Sequence, residues 1–148
     1  MTQGVFGIKP TPQTTLVADK MLRIFRTAVR VFAWLGFLAV ILLSIVPASD
    51  RPVTGLGHAF EHFAAFTILA ASFALGYPRP LRMLLVAAIV FCGGVELLQI
   101  PLPTRHARLS DFVIDVTAAC IAIGIIVTVR KVALRPAGNL SVSRTPHD

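Results

Sequence analysis

Two stretches of this chain hold side chains that could do chemistry, and both sit against apolar runs. The first is His58-Ala59-Phe60-Glu61-His62. The second reaches from Glu96 and Gln99 through Arg105, His106 and Arg108 to Asp111 and Asp115. Spacings of three (Glu96, Gln99) and four (Asp111, Asp115) put each pair on one face of a helix. A carboxylate inside an apolar run loses several kcal/mol of hydration unless it is paired. Carboxylates this close together need cations, and the planar guanidinium forks of Arg105 and Arg108 are the nearest in sequence. As an active site, Glu96 or Asp111 would be the general base and His62 would orient or shuttle the proton. Gln99, Arg105, Arg108 and Asp115 would bind, with the arginines holding an anionic group. The same residues also read as a salt-bridge lock that holds helices together without chemistry.

His58-x-x-Glu61-His62 invites a zinc reading, because two histidines four apart on a helix with a glutamate between them occur in zinc hydrolases. Glu96 is the third ligand one would try. No further ligand stands at a diagnostic distance, so we expect hydrogen bonding instead, with His62 facing Glu96 or Asp111. No metal and no cofactor are expected.

The elements that must position these residues follow from hydropathy. The chain has 148 residues, 55 % of them apolar and only 14 % charged, with a mean hydropathy of +0.78. That exceeds an ordinary soluble domain and fits one membrane domain. Uncharged or nearly uncharged runs cover residues 31–46, 57–76, 81–100 and 111–129. The first is short for a span of about 20 residues, but residues 28 and 29 can extend it. Its basic flank and Pro47-Ala48-Ser49 resemble a signal peptide, yet thirty residues precede the apolar core, so it reads as a retained span. Residues 21–30 place Arg23, Arg26 and Arg30 on one stripe and read as an amphipathic lead-in at the membrane surface or as a plain extension of the first span. Tyr77-Pro78-Arg79-Pro80 and Pro101-Leu102-Pro103 break the later runs. Residues 1–20 and 135–148 read as flexible tails around a transmembrane domain at 21–134. Cys92 and Cys120 fall mid-run and read as small apolar fillers.

Charge sets the orientation. The segments before the first run, between the second and third, and after the fourth, together with Arg82 just inside the third run, carry eleven of the fourteen Lys and Arg residues. By the positive-inside rule those segments face the cytoplasm. The expected fold is therefore an all-α integral-membrane four-helix bundle, N-in and C-in, in the bacterial cytoplasmic membrane. His58, Glu61, His62, Glu96, Asp111 and Asp115 then gather toward the outer face, with Glu96 and Asp115 at similar depth on an antiparallel helix pair. The net charge of +7 needs no nucleic acid to explain it, since the basic residues flank the spans.

At these residues the chain resembles the VanZ-like family of small polytopic bacterial membrane proteins. His62-Phe63-Ala64-Ala65-Phe66 is similar to the family's His-Phe pattern at the start of a span. Glu96-x-x-Gln99, Arg105 and Asp111 are similar to its Glu-x-x-Gln, Arg and Asp signature. Asp115 stands where the family often has Asn, His58-Ala59 where it often has Asp-Lys, and Ala118-Ala119 near a frequent Gly. The likeness covers roughly residues 55–129. It implies membrane location, the site residues just named, and an association with low-level resistance to the glycopeptide teicoplanin and with envelope polysaccharide genes. It implies no particular reaction.

The expected function is thus binding or modification of a lipid-linked envelope glycan or a membrane lipid head group. The alternative is a non-catalytic module supporting an envelope protein partner, and behind both stands a zinc-dependent membrane hydrolase. A proton or solute pathway is disfavoured, because no ionisable residues continue through the inner half of the spans.

Overall fold

The computed structural model describes residues 12–46, 55, 57–100 and 108–134. The outer parts of both expected tails, residues 1–11 and 135–148, lie outside the described residues, as do Arg105 and His106. Four helices make up the fold: α1 (Pro12–Ile45), α2 (His58–Gly76), α3 (Leu81–Gln99) and α4 (Leu109–Ala133). All four are long and apolar enough to cross a membrane. The chain is an all-α, multi-pass membrane bundle, as its hydropathy predicts.

Local chemistry explains where the helices stop. Tyr77 leaves α2 in an extended conformation, φ −124° and ψ 93°, which the following Pro78 favours by crowding helical geometry at the preceding residue. Its amide still donates to the Phe73 carbonyl, at 2.8 Å. Pro80 then caps α3 without requiring a backbone donor. At the other end, Gly57 precedes α2 with φ 87°, a conformation that side chains rarely tolerate.

Helix α1 departs from the expected tail and lead-in. It is continuous over 34 residues, about 51 Å at 1.5 Å per residue, well beyond a hydrocarbon core of about 30 Å. No Gly or Pro interrupts the sequence from residue 13 to residue 35, so nothing separates a surface helix from a span. Described side chains before residue 29 are exposed. The plain extension of the first span is what forms.

Arg30 marks where this extension meets the bundle. Its Nε donates to the Gly76 carbonyl at 2.9 Å, its guanidinium lies 4.8 Å from the centre of the Tyr77 ring, and one turn on Trp34 donates to the Tyr77 hydroxyl at 2.9 Å. A carbonyl left over at the end of α2 thus gains a cationic donor. The approach is close enough that a Cβ on Gly76 would lie 3.1 Å from Arg30 Cγ, and one on Gly36 would lie 3.3 Å from Leu69 Cδ1.

The four helices run up, down, up, down. Their most extensive contact is α2 with α4, followed by α1 with α2 and α3 with α4; α1 and α3 touch less. The expected α3–α4 hairpin is present, but the central interface joins α2 and α4, which run parallel. Their buried residues include Ala70 and Ala74 on one side and Ala119, Ala122, Ile123 and Val127 on the other. Small side chains let the two backbones close without an aqueous hydrophobic drive. Large apolar side chains face outward on every helix, among them Leu35, Ile68, Val90 and Ile125, as expected where the solvent is lipid.

Arg30→Ala should lower stability by about 2–3 kcal/mol, since a charged hydrogen bond contributes about 1.5–3 and a cation–π contact about 0.5–2. Arg30→Lys should fall between, and exposed Arg26→Ala should be nearly silent. Thermal unfolding in detergent measures the series; equal Tm values for all three would show that α1 is not held at this point.

Candidate functional site

The parallel register of α2 and α4 builds the site. His58 Nε2 lies 3.1 Å from Asp111 Oδ2, and His62 Nδ1 lies 3.0 Å from Asp115 Oδ1. Both pairs are 53 positions apart, so they form two rungs separated by one helical turn, about 6 Å. The same offset relates Ala70 to Ile123 and Ala74 to Val127 in the core below. One interface therefore carries polar rungs at its head and apolar packing through its body.

Burial separates the rungs. The His58 side chain is 49 % exposed and that of Asp111 13 %; the His62 side chain is 14 % exposed and that of Asp115 only 1 %. The outer rung forms a mouth and the inner rung a floor. The two imidazoles meet edge-on, with ring centres 4.3 Å apart, and the His62 ring stacks over Phe66 at 6.2 Å. Phe66 in turn belongs to a buried cluster with Cys92, Val95 and Ala118, so the floor rests on a buried apolar layer. Ser110 Oγ donates to Asp111 Oδ1 at 3.2 Å, fixing the outer carboxylate from its own helix.

Helix α3 joins the mouth through Glu96, whose carboxylate accepts a hydrogen bond from the Arg108 amide. Arg108 is the N-cap residue of α4, and a carboxylate on an orphan amide at a helix start is favoured by the helix dipole as well as by the bond itself. Gln99 is buried one turn further along α3.

Of the residues singled out in sequence, His62, Asp111 and Asp115 come together on α2 and α4, and Glu96 reaches the start of the same α4. Arg105 lies outside the described residues. Arg108 meets Glu96 through its main chain, while the residue as a whole is exposed. His62 Nδ1 hydrogen-bonds Asp115 at 3.0 Å, a partner the sequence reading did not name, and its ring also has a nitrogen within 4.8 Å of an Asp111 oxygen. Parallel helices match first with first and second with second, so the second histidine meets the second aspartate. Glu96 is consequently at the mouth, shallower than Asp115. The residue that sequence reasoning undervalued is His58, which holds Asp111. Its signal was the shared four-residue spacing of His58/His62 and Asp111/Asp115.

Chemically, the arrangement can hold an imidazole in one tautomer and orientation through a buried carboxylate. It presents a second imidazole and carboxylate at an accessible rim. His58, His62 and Asp111 each offer one donor atom within 4.8 Å of the others. Set against family models, curated proteins and solved structures, the chain matches none of them.

A double-mutant cycle should show the inner rung directly. His62→Phe and Asp115→Leu should each destabilise the bundle, and together by less than the sum, with a coupling of about 1–3 kcal/mol. His58→Phe combined with Asp115→Leu should be closer to additive. Additivity of the His62–Asp115 pair in detergent unfolding would mean that the rung contributes no pairwise stability.

Proposed function

We propose that this chain is a VanZ-like protein of the bacterial cell envelope whose polar mouth, on the outer side of the cytoplasmic membrane, binds or modifies a lipid-linked glycan or a lipid head group. The observation that carries the reading is the segregation of its two polar ends. His58, His62, Glu96, Asp111 and Asp115 gather at one end of the bundle, while Arg30, Arg79 and Arg130 gather at the other, where Arg130 donates to the Arg79 carbonyl at 3.1 Å. The basic end is cytoplasmic by the positive-inside rule, which leaves the carboxylate–imidazole end facing out.

At that end a head group lying at the bilayer surface meets the half-exposed His58 and the partly exposed Glu96, with the buried Asp111 directly behind His58. Asp111 or Glu96 acts as general base; His62, held by Asp115, orients or relays the proton. Gln99, Arg105 and Arg108 bind, the arginines taking an anionic group. Teicoplanin susceptibility is the natural phenotype to follow, from the family likeness.

A second reading has an observation in its favour. Both histidines already pair with aspartates across α2 and α4, which is what a helix lock does. On that reading the chain is an accessory module for another envelope protein.

Glu96→Gln separates the two, because it removes a base at the mouth and leaves both rungs in place. Normal membrane yield with loss of the envelope phenotype supports the site; loss of both, or of neither, supports the lock. Orientation is tested in a background lacking Cys92 and Cys120. Leu109→Cys should react with an impermeant maleimide in intact cells, and Arg79→Cys only after permeabilisation. The reverse pattern would put the mouth in the cytoplasm and overturn the envelope reading.

A further inference from the structure

We propose that His58, His62 and Asp111 form a site for one divalent transition-metal ion of the zinc class, with Asp115 as the partner that orients His62. The inference rests on reading the mouth as a working site, and it departs from the expectation that these histidines serve hydrogen bonding alone. What changes the balance is the third donor. In sequence, the two histidines had no further ligand at a diagnostic distance; in the fold, α4 brings Asp111 to them.

The geometry fits. Bonds of about 2.0–2.2 Å in a tetrahedral site place ligand atoms about 3.4 Å apart. His58 Nε2 and Asp111 Oδ2 already stand 3.1 Å apart, and all three donors fall within 4.8 Å of one another. Closing the remainder takes side-chain rotation at these three residues. Both histidines are on one face of α2 by their spacing of four, and the third ligand comes from a helix locked in register with it.

The chemistry of the donor set fits as well. Two imidazoles and one carboxylate are the ligand set of catalytic rather than structural zinc, and they leave a coordination position for water or a substrate oxygen. Imidazole selects zinc and its transition-metal neighbours over magnesium and calcium. A metal-bound histidine characteristically donates its other ring N–H to a carboxylate, and Asp115, 1 % exposed and 3.0 Å from His62 Nδ1, stands where that carboxylate belongs. A divalent charge also offsets two carboxylates held side by side in an apolar bundle. The half-exposed His58 gives an ion its way in from the membrane surface.

The test uses the full-length chain purified in detergent, stripped with chelator, dialysed, and titrated with zinc and separately with cobalt. We expect one equivalent per chain, the visible bands of cobalt in a low-coordinate nitrogen–oxygen site, and a zinc-dependent rise in Tm. His62→Ala and Asp111→Ala should abolish stoichiometric binding, and His58→Ala should weaken it at least tenfold. Asp115→Asn should weaken it about 10–100-fold, as expected for a group behind a ligand. His147→Ala should leave it unchanged. Should His62→Ala or Asp111→Ala fail to fold, His58→Ala, altered at a half-exposed position, decides the matter. Absence of a stoichiometric metal in the wild type, binding unaffected by His58→Ala, or binding that disappears with His147 would overturn the proposal. Failure here together with loss of phenotype in Glu96→Gln removes the metal and leaves the site; zinc binding with an intact Glu96→Gln phenotype does the opposite.

Discussion

A carboxylate that is 1 % exposed in the side chain and lies within a membrane-crossing helix is the constraint around which this bundle is arranged. Asp115 has no lipid partner and little water, and an unpaired charge there would cost about 3–5 kcal/mol. Its relief is His62, and His62 can reach it only if α2 and α4 run parallel in one register. Once that register is set, His58 must meet Asp111 one turn higher, and Ala70 and Ala74 must descend against α4 below. The small residues of the interface follow from the same requirement, because a 3.0 Å contact between short side chains needs close backbones. Polar pairing and apolar packing are here two consequences of one helix alignment.

The opposite end of the bundle is satisfied by different means. There the unmet groups are main-chain carbonyls at the end of α2 and in the turn that follows, and arginines supply the donors: Arg30 to Gly76 and Arg130 to Arg79. Long side chains can cover backbone and still keep charge near the surface, which short aspartates cannot do. The two ends therefore differ in kind. One is braced by flexible cations on main-chain oxygens; the other is built from short side chains with fixed geometry. Fixed geometry is what a binding or catalytic site requires.

Hydropathy and breaker residues revealed most of the fold. The limits of α2 and α3 agree with the expected runs to within one residue, because Tyr77-Pro78 and the following prolines act locally. Helix α1 begins at Pro12, inside the stretch read as a flexible tail, since polar composition says nothing against helix where Gly and Pro are absent. The pairing of site residues was harder to see. A hairpin reading couples neighbours in sequence, so it groups Glu96, Asp111 and Asp115 and does not single out Asp115 as the hydrogen-bond partner of His62. Register between non-consecutive helices is a tertiary property. It was written in the chain only as an equal spacing, His58/His62 against Asp111/Asp115, which has meaning once the parallel alignment is known.

The floor of the site ties the mouth to the rest of the molecule. Beneath His62 the Phe66 ring is 3 % exposed, and it also lines a cavity of about 300 Å³ shared with Phe37, Phe73, Phe91 and Cys92. The cavity walls are mainly aromatic and aliphatic, with the Trp34 indole N–H and the Tyr77 hydroxyl already paired to each other, so they offer water few partners. An apolar floor strengthens the electrostatic interactions above it, so the less exposed His62–Asp115 contact is screened less than the rim one turn away. Two chemically alike pairs thus hold different stations along one interface: the inner pair is buried above an apolar floor, and the outer pair meets the surface through the half-exposed His58.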